Sequence, residues 1–178
     1  MIYLTLIDSP EDKVKFLNLY EQYKHFIWSK CFEVLQDEHL AEDATHEAFI
    51  KIAKNMSKIK DVESNATKRY LIIIAENSAI DIYRKRSKQM QHETGLDEAD
   101  LLEDLQVEPE GGFDHDMTRI LADMAAIYRD VLILKYSNEF TNKEIAKTMG
   151  ISEAVVRQRL KRGKEIIRKE LDNVKYNA

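Results

Sequence analysis

The chain has 178 residues, room for one ordinary domain or two small ones. A hydrophobic share of 44% supports packed cores, and five glycines with two prolines suit an α-rich protein. The single cysteine, Cys31, excludes an internal disulfide framework and reads as a small buried hydrophobe beside Trp28 and Phe32. No stretch approaches the ~20 apolar residues that span a bilayer, so no membrane insertion is expected. The opening MIYLTLIDSPEDK lacks the basic start and longer apolar centre of a signal peptide, and a cytoplasmic protein is expected.

A net charge of −5 argues against a nucleic-acid partner until its distribution is read. Residues 89–118 carry ten acids and neither lysine nor arginine. The rest of the chain is therefore +5, and residues 119–178 alone are also +5. Local field matters more than the total for contact with a polyanion.

In chain order, residues 11–35 read as one helix or a bent pair, with Phe16, Leu19, Tyr20, Tyr23, Ile27, Cys31 and Leu35 at helical spacing. Residues 37–59 follow, with Leu40, Ala44, Ala48, Ile52 and Met56 at steps of four. Their polar members Asp37, Glu42, Asp43, His46 and Glu47 suggest an acidic face for a protein partner. Asp43 and His46 stand three apart, but no second histidine follows His46 at the zinc-motif spacing, so no metal is expected.

Residues 60–67 read as a polar loop, and residues 68–88 as a strong helix with Leu71, Ile74, Ala75, Ser78 and Ile82 facing inward. Its other side carries Asn77, Asp81, Arg84, Lys85 and Lys88, with Tyr70 and Tyr83 nearby. Cations with aromatics can hold a single strand through phosphate contact and base stacking. A solvated basic end that complements the helix dipole is the alternative, of equal weight on this helix alone. Residues 89–116 read as an acidic, extended tether. Residues 118–137 read as one helix, with Ile120, Leu121, Met124, Ile127, Val131, Leu134 and Lys135 on its packed side.

Residues 140–171 are the most informative. Thr141 and Glu144 form a capping box for a first helix, residues 142–149. Gly150 can end that helix in the left-handed conformation, and Ser152 can cap the next. The second helix sets Val156, Leu160, Ile167 and Leu171 inward and Arg157, Gln158, Lys161, Arg162, Lys164 and Arg168 outward. This is the layout of a helix-turn-helix that enters the major groove of DNA. A helical hairpin with a solvated basic face is the plainer alternative. The expected fold is all-α: helical domains at 1–88 and 118–178 joined by an acidic linker at 89–117.

With these pieces in place, the sequence resembles the sigma-70 family in its extracytoplasmic-function branch. The run AEDATHEAFIKI looks like the family's polymerase-binding helix. The run YLIIIAENSAIDIYRKRSK looks like the helix that reads and melts the −10 element. The run from Tyr128 to Leu171 looks like the helix-turn-helix that reads the −35 element. The resemblance implies docking on core RNA polymerase through Glu42, Asp43, His46, Glu47 and Phe49. It implies −10 contacts by Tyr70, Asn77, Asp81, Arg84, Lys85 and Lys88. It implies −35 contacts by Glu153, Ala154, Arg157, Gln158, Lys161, Arg162 and Lys164, the last two with phosphates or in helix packing. Promoter DNA and core polymerase are the implied partners, with room for an anti-sigma factor. No cofactor, metal or catalytic residue is implied. Ile73 and Glu76 stand where the family usually has basic residues, which lowers the expected charge of the melting helix. Gly163 stands where alanine is frequent. Two other readings remain at this stage: a stand-alone helix-turn-helix regulator, and a helical protein-interaction module without DNA binding.

Overall fold

The computed structural model describes residues 1–94 and 115–177. Every regular element among them is helical. They form two compact units, one spanning Met1–Ile82 and the other built mainly from the C-terminal helices.

The first unit is organised by α1 (Pro10–Leu35). Ser9 caps it by accepting from the Asp12 amide at 3.3 Å, and Pro10 opens the first turn, where no amide donor is needed. Gln36 stops it in the left-handed region (φ 51°), its N–H bonded to the Phe32 carbonyl. The next residue, Asp37, accepts from the Leu40 amide at 2.9 Å and starts α2 (Glu38–Ala53). The helix expected over 37–59 ends at Ala53, and a 3-10 turn, Met56–Lys58, replaces its last part.

The loop after that turn is knitted by polar side chains. Asp61 offers its carbonyl to the Ser64 and Thr67 hydroxyls, and Tyr23 donates to the Val62 carbonyl from α1. Ser64 then accepts from the Thr67 amide and launches α3 (Asn65–Thr94), three residues earlier than the sequence suggests.

The core holds Phe16, Leu19, Ile27 and Cys31 from α1, Ala41, Ala44, Ala48, Phe49 and Ile52 from α2, and Leu71, Ala75, Ala79 and Ile80 from α3. The alanines of α2 recur at steps of three and four, so α1 and α2 can approach closely. A short 3-10 segment, Ile2–Leu6, closes one side. Its Tyr3 ring lies 5.6 Å from Phe16 and 5.7 Å from Phe49, centroid to centroid.

In the second unit, residues 118–137 are not one helix. Ala125 is extended (φ −60°, ψ 135°) and separates α4 (His115–Asp123) from α5 (Ala126–Leu132). The break resets the register, so Ile127 is exposed while Met124 is buried. A π turn, Ile133–Ser137, follows. Glu139 then takes φ 56°, and the Phe140 amide bonds back to the Leu134 carbonyl at 2.9 Å.

The helix-turn-helix forms as its caps require. Thr141 and Glu144 make both halves of the capping box at α6 (Asn142–Met149), and Gly150 stands at φ 65°. Ser152 accepts from the Val155 amide at 3.3 Å at the start of α7 (Glu153–Asn177). Ile145 and Ala146 of α6 are buried, as are Val156 and Leu160 of α7. Gly163 is buried against Leu132, where a Cβ would meet the Leu132 Cδ1 at 2.8 Å. The absence of a side chain lets α7 lie close on α5.

Of the stretch expected as a linker, α3 takes residues 89–94 and α4 takes 115–117. The remainder, 95–114, lies outside the described residues.

Candidate nucleic-acid interface

Three helical surfaces carry the expected residues. On α7, Glu153, Ala154, Arg157, Gln158, Lys161, Arg162 and Lys164 are all exposed. Ala154, Gln158, Lys161 and Arg162 lie opposite Val156, Leu160 and Gly163, the positions that fasten α7 to its unit, while Glu153, Arg157 and Lys164 flank that packed side. Arg157 stands 3.9 Å from Glu153, and Arg162 donates to Glu165 at 3.1 Å. Both pairs are open to solvent, where such contacts hold little energy, so the guanidiniums can exchange them for phosphates at small cost. Lys164 differs: its ammonium sits 5.1 Å from the centre of the Tyr136 ring. That contact turns it toward the π turn and supports the packing role.

On α3, Tyr70, Asn77, Asp81, Arg84 and Lys88 recur at seven, four, three and four residues and share one stripe. Arg84, Lys85 and Lys88 are exposed, while Tyr70, Asn77 and Asp81 are partly buried. Burial raises the Tyr70 hydroxyl above its ordinary range. Asp81 does not stand free. Its Oδ2 accepts from the Lys51 ammonium of α2 at 3.1 Å, and the same ammonium reaches Ser78 Oγ at 3.1 Å.

Glu76 requires a correction. It is fully buried, so its side chain does not reach the surface of α3. Position 76 falls one turn before Ile80, on the side of α3 that packs inward. Ile73 is partly buried.

On α2, Glu42, Asp43 and His46 are exposed and Glu47 is partly so. Phe49 is the second correction, because its ring is 1% exposed and belongs to the core. It packs 4.7 Å from Tyr20 and 6.1 Å from Phe16, beneath the acidic face instead of on it. The residue follows Ala48, on the side of α2 turned to α1. His46 bonds to the Tyr3 hydroxyl at 2.7 Å.

Sequence reading missed Tyr3 and Lys51. Tyr3 precedes any recognisable periodicity, and Lys51 meets a partner 30 residues away, so neither left a local signal. Cys31 is inert in this setting: it is fully buried, donates to the Ala75 carbonyl at 3.5 Å, and burial pushes its thiol up to about 12. Among the described residues, no three His, Cys, Asp or Glu side chains gather to hold a metal ion. No described helix is long and apolar enough to cross a membrane.

Fold and surfaces together define an all-helical protein of two parts, the second a helix-turn-helix with a cationic recognition face. The family model for Sigma-70 region 2 matches residues 19–89, and that for Sigma-70, region 4 matches residues 115–167. The chain is 29% identical to the ECF RNA polymerase sigma factor SigW of Bacillus subtilis over 173 residues, covering 90% of each protein. It is 26% identical to SigX of the same organism over 161 residues, covering 86% of this chain and 82% of SigX. The sigma factor RpoE of Bartonella quintana, solved in complex with the anti-sigma factor NepR, is 18% identical with a TM-score of 0.47; the match covers 89% of this chain and 97% of that one. The chain belongs to the sigma-70 family, in its extracytoplasmic-function branch.

Proposed function

We infer that this alternative sigma factor divides its work among the three surfaces described above. It binds core RNA polymerase and directs initiation at promoters, and the polymerase supplies all covalent chemistry. In this reading the acids of α2, the exposed Glu42 and Asp43 and the partly exposed Glu47, dock with His46 on core polymerase. The α3 stripe receives the non-template strand of the −10 element. Tyr70 offers a neutral ring for stacking, Asn77 a polar head, and Arg84, Lys85 and Lys88 a path for phosphates. Unstacking a base costs a few kcal/mol, which capture on this stripe offsets. The α7 face enters the −35 major groove, with Arg157, Gln158 and Lys161 toward base edges and Arg162 toward phosphate. The place of action is the bacterial cytoplasm, where polymerase and genome meet. An anti-sigma factor that covers the same surfaces is compatible with this division of labour.

The observation that carries the reading is the α7 face. Its named polar residues are all exposed, while the opposite side of the helix is locked into the unit by Val156, Leu160 and Gly163. The test is promoter binding by holoenzyme with Arg157→Ala and Lys161→Ala. Each loss of a base contact costs about 1–3 kcal/mol and relaxes preference at one −35 position. Unchanged affinity and preference in both variants would reject the placement.

A further inference from the structure

We propose that Lys51 and Asp81 are a positioning pair, which seats the DNA-facing helix α3 on the docking helix α2, and that Asp81 serves the DNA through Lys51 without touching it. The proposal rests on the reading of α2 and α3 given above.

Three observations converge. The Lys51 ammonium bonds at once to Asp81 Oδ2 and Ser78 Oγ, both at 3.1 Å. Ser78 is buried, so the cation is anchored at the seam between the helices as well as at its rim. Asp81 is one helical turn beyond Asn77 and one turn before Arg84 and Lys85, at the middle of the α3 stripe. A carboxylate there would repel a phosphate chain unless a cation neutralised it, and Lys51 is that cation.

The Lys51 end of the bridge is also anchored through its backbone. Lys51 lies in the last turn of α2, and its own carbonyl accepts from the Asn55 side chain at 2.9 Å. Both partners remain about 40% exposed, so the pair alone contributes little to global stability. Its effect is directional: it sets the rotation of α3 and hence the aim of Asn77 and Tyr70. Sub-ångström placement of groups that capture a base has large kinetic consequences.

The experiment uses the full chain with core polymerase and measures core affinity, the rate of −10 opening, and the preference among −10 base substitutions. The variants are Lys51→Met, Lys51→Arg, Asp81→Asn and the double variant Lys51→Met/Asp81→Asn. The expected result is that Lys51→Met and Asp81→Asn each slow opening by about three- to tenfold. The double variant is no slower than the worse single one, Lys51→Arg opens near the wild-type rate, and the ranking of −10 sequences is unchanged throughout. Additive losses would overturn the proposal. So would a change of preferred base in Asp81→Asn that Lys51→Met does not share. The same cycle is read on amide hydrogen exchange of the α3 backbone around Asp81 in the free chain, where non-additive increases in Lys51→Met and Asp81→Asn support the pair and additive ones contradict it. Failure of the wild-type chain to engage core polymerase would refute the sigma-factor division of labour, and the exchange cycle would still decide the pair.

Discussion

The Tyr3 hydroxyl lies 2.7 Å from Nδ1 of His46, and this bond ties the first residues of the chain to the exposed face of α2. The tyrosine ring is at the same time a core residue, within 6 Å of Phe16, Tyr20 and Phe49 between centroids. One side chain therefore joins the hydrophobic interior to the exposed face of α2.

Removing only the hydroxyl, with Tyr3→Phe, keeps the ring and loses the bond. The expected cost is about 0.5–1.5 kcal/mol in denaturant unfolding. Tyr3→Ala leaves a cavity among the aromatics and should cost about 3–5 kcal/mol. Equal stability of the Ala and Phe variants would show that the N-terminal segment does not pack as described.

Cys31 makes a prediction about pH and reactivity. Burial, the largest cause, raises its thiol from 9.0 to about 12. A group whose folded value lies above its unfolded one stabilises fully below the unfolded value. That contribution is present below about pH 9 and is lost as pH rises toward 12. In the native protein at pH 8 a water-soluble thiol reagent should leave Cys31 unmodified, and modification should follow unfolding. Labelling of the folded chain at the rate of a free thiol would contradict its burial.

Glu139 stands at φ 56°, in the left-handed region that a side chain tolerates poorly. It is exposed and sits in the turn that leads into α6. Glu139→Gly should relieve the strain and raise the unfolding free energy of the second unit by about 0.5–1 kcal/mol. Destabilisation by this change would mean that contacts of the glutamate outweigh the backbone term.

The helix-turn-helix was legible residue by residue because each of its signals is local. Thr141 and Glu144 are three apart, Gly150 follows at once, and Ser152 caps three residues before the amide it serves. The course of α1 was legible through its apolar stripe, though its Ser9 cap and Pro10 start were not read. The break at Ala125 was not, because neither glycine nor proline marks it; the register shift there leaves Ile127 exposed while Met124 and Val131 are buried. Phe49 and Glu76 were misplaced for a related reason. The resemblance gave Phe49 a surface role and counted Glu76 toward the charge of α3, whereas both turn inward on their helices. Lys51 and Tyr3 act over long sequence separations, and such contacts exist only once the helices have packed.

The central claim is that an acidic helix near one end of the chain and a propped cationic helix near the other serve a single act of promoter selection. Its most direct test is to combine the purified chain with bacterial core RNA polymerase on genomic DNA and map the transcript starts. The account predicts a discrete set of new starts that share −10 and −35 sequences. It also predicts that this set disappears with Asp43→Lys/Glu47→Lys, which removes docking while the fold survives. Starts that are the same with and without the chain would contradict it.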